Sequence, residues 1–92
     1  MSVIVLVPGV LRAESGGQGR IEVPAGGTLG GVLDELARGW PRLERRIRDE
    51  QGQIRRYVNV YINGEDCRLL AGSESSVPDG AEIQVLPSVA GG

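Results

Sequence analysis

At 92 residues the chain has room for one small domain, and its 40% hydrophobic and 24% charged content is ordinary for a globular fold. The formal net charge of -2 argues against sequence-independent nucleic-acid binding, and no apolar run is long enough to span a bilayer or serve as a signal peptide, so a cytoplasmic protein is expected. There is no histidine, no lysine and one cysteine, Cys67. That repertoire lacks the usual neutral-pH base, a zinc ligand set, a P-loop lysine and a disulfide, so an independent enzyme is not expected.

The chain opens on Ser2 to Val7, a β-branched and apolar run without polar alternation, which suits a central strand covered on both faces. Leu11 to Gly19, with three glycines, reads as a flexible turn. Arg20 to Val23 alternates polar and apolar and stops at Pro24, as a short strand that pairs with the first in a hairpin. Thr28 then precedes Leu29, Val32, Leu33, Leu36 and Trp40, whose spacing puts one apolar stripe on a helix with Thr28 as its cap. Gly30 and Gly31 weaken its first turn but would let the helix backbone approach a sheet closely. Leu43 and Ile47 mark a short second helical segment in an arginine-rich stretch.

Arg55 to Ile62 is the clearest strand, with Val58, Val60 and Ile62 on one face and Tyr57, Asn59 and Tyr61 on the other. Asn63-Gly64 is a hairpin turn, after which Glu65 to Leu70 returns as a strand carrying Cys67 as a small packed residue. Gly72 to Ser76 reads as a polar loop, Pro78-Asp79-Gly80 as a turn, and Glu82 to Leu86 as a last strand with Ile83 and Val85 inward. The arginines at 42, 45, 46, 48, 55 and 56 form a basic cluster that reads first as a solvated face. Pro87 stops the last strand. Ser88-Val89-Ala90-Gly91-Gly92 follows without bulk or charge, a backbone thin enough to enter another protein's narrow active site.

One helix on one face of a four- or five-stranded mixed sheet, with a short second helical segment, is an α+β fold. The organisation expected is a domain over 1–87 and a flexible C-terminal tail over 88–92. The first strand, the helix opening Gly27-Thr28-Leu29-Gly30, the strand Tyr57 to Asn63-Gly64 and the close from Pro78 to Gly92 resemble the ThiS/MoaD-type sulfur carriers, ubiquitin-like β-grasp proteins. Within them the chain is most similar to the CysO-type carriers of actinobacterial cysteine biosynthesis, which share Gly16-Gly17-Gln18, Thr28-Leu29-Gly30 and the ending Leu86-Pro87 and Val89-Ala90-Gly91-Gly92.

The resemblance implies a protein cosubstrate with no bound cofactor. A ubiquitin-activating-type adenylating enzyme would use MgATP to adenylate Gly92, and a sulfur source would then leave a thiocarboxylate there. Val89, Ala90 and Gly91 would thread into partner active sites, and Tyr57, Asn59 and Tyr61 would form a partner-binding face. The further partners implied are a sulfur-accepting synthase, of cysteine synthase, thiosugar or molybdopterin type, and a JAMM-type metalloprotease. Cysteine is the favoured sulfur destination, with molybdopterin, thiamin or a sulfur-containing secondary metabolite as alternatives. A ubiquitin-like modifier conjugated through Gly92 is the alternative from another class.

Overall fold

The computed structural model describes residues 1–24 and 26–88. Its main sheet has five strands in the order β2-β1-β7-β4-β5, built from β1 (Val3–Leu6), β2 (Arg20–Val23), β4 (Val58–Ile62), β5 (Glu65–Asp66) and β7 (Glu82–Pro87). Strands β1 and β7 run parallel in the centre, with Val5 opposite Ile83, and every other pairing in the sheet is antiparallel. This is the mixed β-grasp arrangement expected, with the hairpin β1–β2 in place and β1 central in the sheet.

Helix α1 (Leu29–Gly39) crosses one face of the sheet. Thr28 caps it: its Oγ1 accepts the Gly31 amide at 3.1 Å, satisfying one of the first-turn donors that a helix leaves open. Leu29, Val32, Leu33 and Leu36 are buried against Val3, Val5, Val58, Val60, Ile62, Ile83 and Val85, the inward set of the strands. Helix α2 (Pro41–Ile47) follows after Trp40, with Pro41 at its first position, where a missing N–H costs nothing, and adds Leu43 and Ile47 to the core. None of these helices is long and apolar enough to cross a membrane.

The turns follow their residues. At the β4–β5 hairpin Asn63 and Gly64 both have positive φ (49° and 88°), as the twist-matched two-residue turn requires. Before β7, the Ala81 amide donates to the Pro78 carbonyl at 3.1 Å while Gly80 sits at φ 79°, a type II turn. The Asp79 carboxylate also accepts the Ser2 amide at 2.8 Å, which ties the turn to the start of β1.

Several local readings change. The stretch Leu11 to Gly19 is not a flexible turn: Gly9–Ser15 is a 3-10 helix that buries Leu11 and Ser15. The Ser15 hydroxyl lies 2.7 Å from the Gln18 carbonyl and 3.2 Å from that of Arg12, so its burial is satisfied. Strand β4 begins at Val58, leaving Arg55 to Tyr57 in the turn before it. The returning strand is only Glu65–Asp66, because the Asp66 carboxylate accepts the Arg68 amide at 2.9 Å and turns Cys67–Leu69 into a 3-10 helix. Cys67 is therefore a fully buried residue of a helical turn, not of a strand. The loop at Gly72 to Ser76 holds a further 3-10 turn, Gly72–Glu74, and leads into β6 (Ser76–Val77), which pairs with β3 (Gly27–Thr28) as a second, two-stranded sheet. That pairing explains Gly30. A Cβ there would lie 3.3 Å from the Ser73 carbonyl oxygen, so the helix closes on this turn rather than on the main sheet.

Candidate functional site

Strand β7 lies between β1 and β4 and carries the chain to one end of the sheet. Its last pairing sets Pro87 opposite Val58. Proline has no amide to donate, so the ladder passes to Ser88, whose N–H and hydroxyl both donate to the Tyr57 carbonyl, at 2.6 and 2.9 Å. Ser88 is thus fixed to the turn ahead of β4. The four residues expected to enter partner active sites, Val89, Ala90, Gly91 and Gly92, lie outside the described residues.

Of the other expected residues, the sheet face away from α1 carries Asn59 and Tyr61. Tyr57, in the turn before β4, is 48% exposed. Asn59 and Tyr61 are half-buried on β4, opposite Leu86 and Gln84 of β7. Asn59 is committed internally, its Oδ1 accepting from Arg68 at 3.0 Å, so within the trio the tyrosines are the freer groups. Leu86 is 39% exposed and Leu6 half-buried beside them. An open groove of about 730 Å³ runs from Leu86 and Gln84 across Leu6 to Pro8, Arg12 and Arg20. The site is therefore a mixed apolar and polar face, continuous with the point where the tail leaves the fold.

The sequence did not reveal the part played by Arg68. Its guanidinium reaches the carbonyls of Arg55, Val58 and Arg56 at 3.0, 2.8 and 3.4 Å, as well as Asn59. The signal available was an arginine two residues after a helix-capping Asp66, which says where the backbone turns but not where the side chain goes.

The arginine cluster divides. Arg48 is a structural residue: its side chain, 11% exposed, bonds Glu44 at 2.6 Å and Asp34 at 2.8 Å. Burial pulls its guanidinium down, but the hydrogen bonds and charges of Asp34 and Glu44 outweigh that and hold it above its ordinary value. Arg55 donates to the Arg45 carbonyl. Arg42, Arg45, Arg46 and Arg56 are exposed, the solvated part of the cluster.

Cys67 is sealed in the core. Burial pushes its thiol up, and the Asp66 charge adds to the shift, so at neutral pH it is a packed thiol rather than a nucleophile. Among the described residues no His/Cys/Asp/Glu cluster could hold a metal ion.

Against known proteins, the model described as ThiS family matches residues 5–92. The chain belongs to the ThiS family. It is 37% identical over 94 residues to the sulfur carrier protein CysO of Mycobacterium tuberculosis, covering all of both chains. It is 34% identical over 73 residues to small archaeal modifier protein 1 of Haloferax volcanii, covering 79% of each. The CysO of the Amycolatopsis orientalis BexX/CysO complex superimposes with a TM-score of 0.88 at 34% identity, over 98% of this chain and 99% of that one. The ubiquitin-like fold is thereby established, and the relatives this ThiS-family chain is similar to are a sulfur carrier protein and a small archaeal modifier protein.

Proposed function

We propose that the chain is a sulfur carrier that works through the Gly92 carboxylate. The observation that carries the proposal is the exit of the chain at the end of β7. Ser88 is pinned to Tyr57, and the sequence beyond it, Val89-Ala90-Gly91-Gly92, has no side chain larger than valine. The full-length similarity to CysO supports it.

A carboxylate is a poor electrophile at neutral pH. In the proposed reaction a carboxylate oxygen of Gly92 attacks the α-phosphorus of the MgATP bound by a partner enzyme. Pyrophosphate leaves and a mixed anhydride with AMP remains. A sulfur nucleophile then adds to the acyl carbon and AMP departs, leaving a terminal thiocarboxylate. That soft nucleophile delivers sulfide to an acceptor without releasing it. None of these steps asks the carrier for a base of its own, which agrees with its lack of histidine and lysine. The carrier's task is to dock and to place the tail. Cysteine biosynthesis is the proposed destination, through a synthase that accepts the sulfur and a metalloprotease that frees the adduct. The complex of an Amycolatopsis CysO with BexX supports the docking of such carriers on partner proteins.

A second reading, conjugation to other proteins through Gly92, is favoured by the similarity to small archaeal modifier protein 1. Pyrophosphate exchange with the cognate activating enzyme tests the step common to both readings. Deleting Gly92 withdraws the carboxylate by one residue, about 3.5 Å of extended chain, and is expected to abolish exchange. Exchange at the wild-type rate in the deletion variant would overturn the assignment of Gly92. In cell extract, the carrier stays a single species, and a modifier appears as conjugates.

A further inference from the structure

We infer that Arg68 is a positioning residue for the tail, acting through the turn at Arg55 to Val58. The inference rests on the reading that the reacting group lies beyond Ser88. Among the described residues Arg68 makes no ion pair. Its charge is spent on one piece of backbone instead. Nη2 donates to the carbonyls of Val58 (2.8 Å), Arg55 (3.0 Å) and, more weakly, Arg56 (3.4 Å), and Nη1 donates to Asn59 Oδ1 (3.0 Å). Charge-assisted bonds of this kind are roughly twice as strong as neutral ones, and a planar fork fixes direction as well as distance.

The residue enclosed by those contacts is Tyr57, whose carbonyl holds both donors of Ser88. The backbone of Arg68 is in turn set by the Asp66 carboxylate, at the sheet edge formed by β5. A line of contacts therefore runs Asp66, Arg68, the 55–58 turn, Tyr57, Ser88. Pro87 cannot contribute an amide, so Ser88 is the last described link between the fold and the tail. A turn carrying three carbonyls that converge on one cation has one preferred position. Without the cation those carbonyls turn to water and Tyr57 is free to shift. Four residues separate Ser88 from the Gly92 carboxylate, so loosening the anchor at Ser88 enlarges the range of starting positions from which that carboxylate must be drawn into the activating enzyme.

The test has two arms. In the first, Ser88 amide hydrogen exchange is measured by NMR on the full chain, without any partner. Arg68→Ala is expected to speed it by roughly tenfold to a hundredfold, and Arg68→Lys, which cannot fork, to restore only part of the protection. In the second, the same variants are assayed by pyrophosphate exchange with the cognate activating enzyme, below the melting temperature of each. Arg68→Ala is expected to lower kcat by roughly tenfold to a hundredfold, with a smaller rise in KM from the shift of Tyr57 in the docking face. In a Ser88→Pro background, which removes both donors, Arg68→Ala should add little. Unchanged Ser88 exchange, an unchanged kcat, or multiplying losses in the double variant would overturn the inference. Should Arg68→Ala not fold, Arg68→Lys carries the same comparison with a smaller effect. Failure of the Gly92 reading would register separately: a Gly92 deletion that still exchanges pyrophosphate removes that reading, and the Ser88 amide alone then decides whether Arg68 holds the exit.

Discussion

Replacing Tyr57 and Tyr61 with serine separates the docking face from the anchoring of the tail. The Ser88 anchor uses the Tyr57 backbone carbonyl, which serine retains, so the exit of the chain survives the change. Tyr57 is 48% exposed and lies in a turn, and its loss should cost no more than about 0.5 kcal/mol of stability. Tyr61 is half-buried on β4 between Gln84 and Asp66, where serine gives up cross-strand contact and strand propensity worth about 1 kcal/mol. A midpoint fall of roughly 5 to 12 °C follows for a domain of this size, leaving the double variant folded at room temperature. An exposed and a half-buried tyrosine near Leu86 have the character of interface anchors, for which truncation costs about 2 kcal/mol or more. The expected result by calorimetry is at least a roughly 30-fold weaker Kd for the activating enzyme. An unchanged Kd in the folded double variant would refute the assignment of this face as the docking surface.

Four further outcomes are expected. Gly80→Ala should destabilise by about 1–2 kcal/mol in a thermal melt, because a Cβ at φ 79° is strained although no atom lies within 4 Å of it. Native Cys67 should resist iodoacetamide at neutral pH and react only on unfolding, while Cys67→Ala should accept sulfur at the normal rate; a folded variant that takes up none would give the thiol a chemical role. Since the folded thiol is raised, its neutral form favours the fold below the unfolded thiol's pKa. That contribution is lost as pH rises through the folded value, so the alkaline limb of a pH–stability curve should be shallower in Cys67→Ala.

The sheet was legible because its strands follow simple periods. Val58, Val60 and Ile62 alternate with Asn59 and Tyr61, and the α1 stripe repeats at three and four, so burial follows from spacing alone. The short elements were hidden because side chains acting on backbone decide them. Asp66 ends β5 after two residues by capping the Arg68 amide, and no alternation of apolar residues signals that. Ser15 and Leu11 order a glycine-rich stretch through burial that composition does not announce. Gly30 marks a close approach, but to Ser73 in a turn with no period of its own rather than to the sheet that the apolar stripe suggests. At the candidate site, Asn59 and Tyr61 share a face as the period of two requires, whereas Tyr57 falls in the turn before β4, outside that period. The contacts that hold the exit, from Arg68 and Ser88 to main-chain carbonyls, leave no trace in a pattern of residue types.

Carriage of sulfur at Gly92 is what the proposed function requires. Its most direct test is the intact mass of the chain after incubation with its activating enzyme, MgATP and sulfide, followed by fragmentation to place the change. A mass gain equal to one sulfur replacing one oxygen, located at Gly92 and absent without ATP, is expected. No gain with a competent enzyme, or a gain located at Cys67, would contradict it.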